Sequence, residues 1–504
     1  MIWRHRWVTR EGIMECRDAL AYPGEGHPTV LLRQITMLDA PGSVNVILRP
    51  SAGYDTQPMR QLHRHRGTWT AQCGDLHLRW SGADRARPQQ SGRQAALHLT
   101  LQPGQQHDLV LELDDRPLPQ EPAEPAPLWR ATEAAWADRV PALDSCLSPH
   151  ESRRSYAVLA GLTSRGGGMV AAATTSLPER AETGRNYDYR YVWIRDQCYA
   201  GIALAAVGAD ELMDDAVSVA TARVLEHGDR MAPAYTTTGA PVPDERHLGL
   251  PGYPGGFDII GNKVNQQFQL DTFGEVLNLL ATAAHRGHLD AEHWAAAEVA
   301  AAAIARRWGE LDAGIWEIEP RAWTHSRLIA ADGLRALAST RPGSRLSADW
   351  MALADAITAD TSAHALHADG RWQRSPDDTG VDAALLLAAQ RGSAPPDDPR
   401  TVATFRAYLR DLTVDGYAYR FRQDQRPLGD AEGSFLLCGY LTALSLQRQG
   451  QPIEARAWFE RTLAATGPAQ LFSEEYDVTE HQMRNLPQAF VHALMLETAS
   501  RLAQ

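Results

Sequence analysis

A change of periodicity at a proline-rich segment limits what this chain can become more than any other feature. The run Pro117 to Pro127 (PLPQEPAEPAP) reads as a linker between two kinds of sequence. Before it, short runs alternate or cluster apolar residues between Gly and Pro punctuation, at 29–35, 44–48, 76–80, 95–101 and 108–113. Strands spaced like this, with no helices between them, predict an antiparallel β-sandwich over residues 1–125. Residues 126–148 continue the linker with a helix. After that the period becomes helical and stays so, in amphipathic stretches near 149–162, 192–207, 211–228, 264–287, 290–307, 325–340, 346–366, 380–391, 397–412, 431–449, 452–466 and 487–503. The stripe Val264, Phe268, Phe273, Val276, Leu277 and Leu280 is the clearest. Twelve helices can pair as six hairpins and close into a double ring, so an all-α (α/α)6 toroid (barrel) is predicted over 149–504. Loops at one end of such a ring form a funnel.

Composition narrows the class further. A formal net charge of −13 in 504 residues argues against a nucleic-acid partner, which calls for a basic face. No run approaches 18 apolar residues, so no membrane span is expected. The five cysteines, Cys16, Cys73, Cys146, Cys198 and Cys438, are scattered and lack CxxC spacing, which fits free thiols and a cytoplasmic location. There is no HExxH or other repeated histidine spacing, and Gly166-Gly167-Gly168 lacks a following Lys-Ser/Thr, so neither metal nor cofactor is expected. Oligomeric state stays open.

Chemistry concentrates in three acidic motifs. The first ends the run 184–196, where Tyr187, Tyr189, Tyr191 and Trp193 interleave with Arg185, Arg190, Arg195, Asp188 and Asp196. The second is Gly314-Ile315-Trp316-Glu317, followed by Thr324-His325-Ser326; the third is Ser473-Glu474-Glu475-Tyr476-Asp477. Glycoside hydrolysis needs two carboxyls, one protonating the leaving oxygen and the other activating water or attacking. Glu317 and Glu474 lie 157 positions apart (474 − 317), so only the fold can bring them together. Aromatic rings offer a face for a sugar, and arginine a fork of donors for its hydroxyls. An aromatic wall such as Trp316 also removes water and raises a carboxyl pKa, as a general acid requires. Each motif has a plainer alternative: a polar network at a helix entrance for Asp196, and exposed loop acids for Glu317 and Glu474.

Taken in order, these motifs resemble glycoside hydrolase family 15, which includes glucoamylases, glucodextranases and bacterial trehalases. The resemblance covers roughly residues 150–504 and includes the runs 173–179, 186–196, 269–275, 314–317 with 324–326, 415–420, 432–438, 473–477 and 487–490. It implies the sandwich-plus-(α/α)6 fold, with Glu317 as general acid and Glu474 as general base. It also implies Tyr189 beside the attacking water, Arg195, Asp196 and Arg420 gripping the non-reducing glucose, and Trp193 and Trp316 as walls. Hydrolysis would invert the anomeric carbon and release β-glucose.

Three departures from the family pattern fall on the acceptor side. The usual bacterial "DGSIDWLCLPRFDSP"-like segment does not occur in the sequence, Tyr187 stands where tryptophan is commoner, and Arg327 to Asp332 lacks the usual lysine and tryptophan. The expectation is therefore an exo-acting, glucoamylase-like enzyme on short isomalto- or malto-oligosaccharides, with a trehalase of the same family as the alternative. A phosphorylase is argued against by a retained base at Glu474, and an inactive sugar-binding protein by the intact motifs.

Overall fold

The computed structural model describes residues 1–24, 26–174, 186–252, 257–392, 394–423, 426–477, 479, 481–483 and 485–504. The runs 173–179 and 184–196 therefore lie partly outside the described residues. The chain divides into two compact units, Met1–Pro141 and Ala142–Gln504.

The first unit is built from antiparallel strands: β1 (Trp3–Val8), β2 (Ile13–Leu20), β3 (Thr29–Met37), β4 (Gly42–Leu48), β5 (Arg60–His65), β6 (Thr68–Cys73), β7 (Leu76–Ser81), β8 (Arg87–Gln89), β9 (Gln94–Leu101) and β10 (Gln106–Asp114). One seven-stranded sheet runs β1-β2-β3-β10-β7-β6-β5, and a three-stranded sheet runs β8-β9-β4. Cys16, Ile35, Trp69 and Trp80 from the larger sheet share a core with Val46, Ala95, Leu97 and Leu101 from the smaller. Period-two alternation places these residues on facing surfaces, which is why the strands were legible. Strand β1 (WRHRWV) carries no apolar alternation because every one of its residues is exposed. Helix α1 (Pro125–Arg139) starts with proline in its first turn and packs Trp129 against Ala19, Leu32 and Val110.

The second unit is helical, with α2 (Pro149–Leu162), α3 (Ile194–Ala206), α4 (Asp210–His227), α5 (Leu270–His285), α6 (Ala291–Arg307), α7 (Thr324–Ser339), α8 (Arg345–His364), α9 (Leu385–Arg391), α10 (Pro399–Asp411), α11 (Leu436–Arg448), α12 (Pro452–Leu463) and α13 (Ala489–Arg501). Helix α3 packs on α5, α5 on α7, α7 on α9, α9 on α11, α11 on α13, and α13 returns to α3. The even-numbered helices pack outside this circuit, α4 on α3, α8 on α7 and α12 on α11. Burial follows from that arrangement. Every residue of α3 but the last is buried, whereas α8 buries five of its twenty. A helix in the circuit has neighbours on all sides, and an outer one has solvent on its far face.

One predicted boundary needs correction. The stripe read from Val264 to Leu280 does not lie on one helix, because α5 begins at Leu270. Val264 is fully buried, but from a 3₁₀ turn spanning Lys263–Gln266. Burial supplied the apolar signal there without helical backbone. All five cysteines are unpaired and buried. Among the described residues, no helix is long and apolar enough to cross a membrane.

Candidate active site

The three acidic motifs enter one cavity of about 640 Å³, within the size range of small-molecule sites. Tyr189, Trp193, Arg195, Asp196, Trp316, Glu317, Arg420 and Glu474 all line it, so every site residue predicted from sequence is brought to the same place.

Trp193 ends a two-residue strand paired with Ala234–Tyr235 and stands at the N-cap of α3. Arg195 and Asp196 therefore occupy the first turn of a fully packed helix, where side chains have little freedom. The Arg195 guanidinium donates 2.7 Å to Gln269 Oε1 and 3.3 Å to Glu317 Oε1. It lies 3.8 Å from Asp271 and 3.9 Å from Asp196. Burial opposes its charge, but the Asp271, Glu317 and Asp196 carboxylates outweigh that and raise its pKa. Burial pushes Asp196 up to about 7 and Asp271 up to about 6, and Arg195 works against both shifts.

Glu317 sits in the loop between α6 and α7. That loop is closed at its base, where Asp312 and Arg321 exchange backbone hydrogen bonds of 3.0 and 2.9 Å. Glu317 itself adopts φ 55°, a left-handed conformation uncommon for a residue with a side chain. The loop holds it there: its N–H donates 3.2 Å to Gly314 O, and Trp193 Nε1 donates 2.6 Å to its carboxylate. A left-handed backbone at a carboxyl that also lines the cavity marks Glu317 as a candidate functional residue. Trp316 beside it is fixed by a 2.8 Å bond from Nε1 to Asp382 and an edge-on contact with Phe435 at 5.4 Å.

Glu474 lines the same cavity from a different segment, just before a strand (Glu475–Asp477) paired with Ser434–Phe435. It is 4% exposed, and burial pushes its pKa up to about 8 against the opposing pull of Arg420 and of the Tyr189 hydroxyl, which donates 3.0 Å to it. Burial and the Glu474 charge raise Tyr189 well above its ordinary value, so the phenol remains a donor. Arg420 is gripped by Glu432 through Nε at 3.1 Å and also through Nη2, with its guanidinium 4.6 Å over the Phe435 ring. Glu475 is pushed well up by burial and by Glu432.

Several supporting residues escaped the sequence reading. Asp312 accepts from the Leu270 and Gly314 amides at 3.3 and 3.1 Å and from the Ser326 hydroxyl at 2.7 Å. It thus ties the start of α5, the Glu317 loop and the start of α7 to one carboxylate. Asp382, Gln269 and Glu432 hold Trp316, Arg195 and Arg420 in turn. Gln269 and Glu432 lay inside noted runs, but nothing near Asp382 marked it. Glu245, Asn262 and Lys263 also line the cavity. Two carboxyls with independent supports, a phenol on one and an indole on the other, can move a proton to one atom and take one from another.

Comparison with known proteins places the chain in a family. The sequence model of glycosyl hydrolases family 15 matches residues 154–500. A trehalase from Mycolicibacterium smegmatis is 30% identical over 98% of this chain and 80% of its own length. A trehalase from Mycobacterium tuberculosis is 28% identical over 98% and 79%. A bacterial glucoamylase solved with acarbose superposes with a TM-score of 0.65 at 13% identity, covering 99% of this chain and 81% of that one. A glucoamylase from Saccharomycopsis fibuligera gives 0.51 at 12%, covering 74% and 95%. At such identities the structural likeness concerns the fold: an N-terminal antiparallel sheet unit followed by a helical one. With a family match across most of the helical unit and a relative aligned along nearly the whole chain, the protein belongs to glycosyl hydrolase family 15 and is a glycosidase of that family.

Proposed function

We propose that residues 149–504 form an (α/α)6 toroid that hydrolyses an α-glucoside with inversion, and that the substrate is α,α-trehalose. The observation that carries the reaction is the convergence of Glu317 and Glu474 on one cavity, each with its own fixed hydrogen-bond donor. Glu317 protonates the glycosidic oxygen as its bond to C1 breaks. Glu474, ionised, takes a proton from a water whose oxygen bonds to C1 from the opposite face, with the Tyr189 hydroxyl beside it. Arg195, Asp196 and Arg420 grip the glucose that becomes the product, and Trp193 and Trp316 wall it in. The gripped glucose leaves as the β-anomer, while the departing sugar keeps its own configuration.

The substrate rests on a different observation. The relatives that align along 98% of this chain are named trehalases. That favours the trehalose alternative over the malto- and isomalto-oligosaccharides expected from sequence. The test is glucose release from trehalose, isomaltose, maltose, panose and dextran, with proton NMR of the first product. Trehalose should be cleaved fastest, giving β-glucose and α-glucose in equal first-formed amounts, one from each half. Faster release from isomaltose or maltose returns the substrate to short glucans. First-formed α-glucose alone sinks inversion, and release from no sugar leaves a binding protein.

A further inference from the structure

Of the 49 lysines and arginines in this chain, 48 are arginine, and Lys263 is the only lysine. It lines the catalytic cavity, with its ammonium 2.9 Å from Glu245, which lines the cavity too. Its backbone is built rather than incidental. Asn262 N–H donates 2.9 Å to Pro243 O, and its side chain caps the 3₁₀ turn by accepting from Val264 N–H at 3.0 Å. Asn265 Nδ2 donates 2.6 Å to Val242 O. Gly261, at φ 82°, lies so close to the 243–245 segment that a Cβ there would sit 2.3 Å from Asp244 O. Val264 packs in one apolar cluster with Trp193, the indole that donates to Glu317. The lysine is thus mounted on a turn that is braced by the 242–244 segment and whose Val264 packs with the indole that holds Glu317.

Depth places the pair along the cavity. Arg195, Asp196 and Arg420 are at most 8% exposed, whereas the Lys263 side chain is 73% exposed and that of Glu245 is 19%. We infer that Lys263 and Glu245 form the recognition element for the departing sugar, lying on the solvent side of the glucose that is cleaved off. This assignment rests on the α-glucosidase reading above. The ammonium has three donors and no acceptor, and the carboxylate accepts only, so together they suit two adjacent hydroxyls, one accepting and one donating. The pair is neutral overall, which suits an uncharged sugar and gives no preference for an anionic one. Lysine matters here as a point charge: it engages Glu245 while leaving acceptor capacity on the carboxylate. An arginine fork matches a carboxylate bidentately and would occupy both oxygens.

The test compares two substrates, the best disaccharide of the panel and α-glucosyl fluoride, whose leaving group has no hydroxyls. K263M, K263R and E245Q should each lose about ten-fold or more in kcat/KM on the disaccharide, and several-fold less on the fluoride, as a hydrogen bond confined to the departing sugar requires. Equal losses on both substrates would mean that the pair only supports the pocket, and would overturn the assignment. Full disaccharide activity in K263R or K263M would overturn it as well. Wild-type protein that hydrolyses neither substrate would instead strike down the underlying α-glucosidase reading, and the inference with it.

Discussion

The two carboxyls of the cavity are held in opposite ways. Glu317 stands on a loop in a left-handed conformation, reached by donors from another helix entrance, Trp193 and Arg195. Glu474 leads into a short strand, buried, accepting from the Tyr189 phenol and with a burial-raised pKa of about 8. One is positioned by strain and charged or polar donors, the other by desolvation. A proton donor must arrive at a defined oxygen, which a locked loop provides. A base gains proton affinity when water is removed from around it. Under the proposed mechanism, the same residue type is thus prepared for different tasks by backbone in one case and dielectric in the other.

The largest effect should come from removing either carboxyl. Glu317→Gln and Glu474→Gln are near-isosteric, and each should lower kcat by about 10²–10⁴-fold, the usual worth of a general acid or base, with the melting temperature nearly kept. Steady-state kinetics and thermal melts check this; a variant keeping a tenth of wild-type turnover would remove that residue from its role.

The next effect separates the loop from the strand. Gly314 has φ 67°, and a Cβ there would lie 2.8 Å from the Trp323 ring. Gly314→Ala should therefore cost about 1–3 kcal/mol of stability and displace Glu317. Denaturant melts and kcat should fall together; normal kcat would show that the loop tolerates movement.

A smaller effect reads the base. As the proposed base, Glu474 must be ionised to accept a proton, so activity should fall as pH drops through its raised pKa near 8. The Tyr189 hydroxyl favours the ionised form. Tyr189→Phe should move the acid limb of kcat/KM to higher pH by roughly 0.5–1 unit, the equivalent of one net hydrogen bond. A shift to lower pH, or none, would break the pairing of Tyr189 with Glu474.

The smallest effect concerns Asp312, which burial raises from its ordinary 3.8 to about 7. A carboxyl whose folded pKa is raised binds protons more tightly when folded, so its contribution is present at low pH and lost as pH rises through about 7. Asp312→Asn cannot titrate and should flatten the decline of melting temperature over that window. An unchanged slope would assign the pH dependence to its neighbours, Asp271 or Asp196.

Much of this was legible because the signals were local. Alternation in β3, β4, β7, β9 and β10 and helical spacing after the prolines both report which face is buried, and burial is what the fold enforces. Motif order likewise gathered the predicted site residues, from Tyr189 to Glu474. The misreadings arose where burial and backbone part company. Val264 is apolar because it packs under Trp193, not because it lies on a helix. Asp312 and Asp382 carry no mark, since an aspartate that gathers amides looks in sequence like one that faces water.

From the sequence alone came the two kinds of domain and the succession of helices after the prolines, because apolar period is a property of neighbours along the chain. Only the tertiary structure decided that helices α3 to α13 return on themselves, that Glu317 is locked left-handed while Glu474 is buried, and that the sole lysine faces the same cavity. Those outcomes depend on contacts between residues far apart along the chain, such as Tyr189 with Glu474, 285 positions away. Desolvation and donor geometry exist only once such distant segments meet.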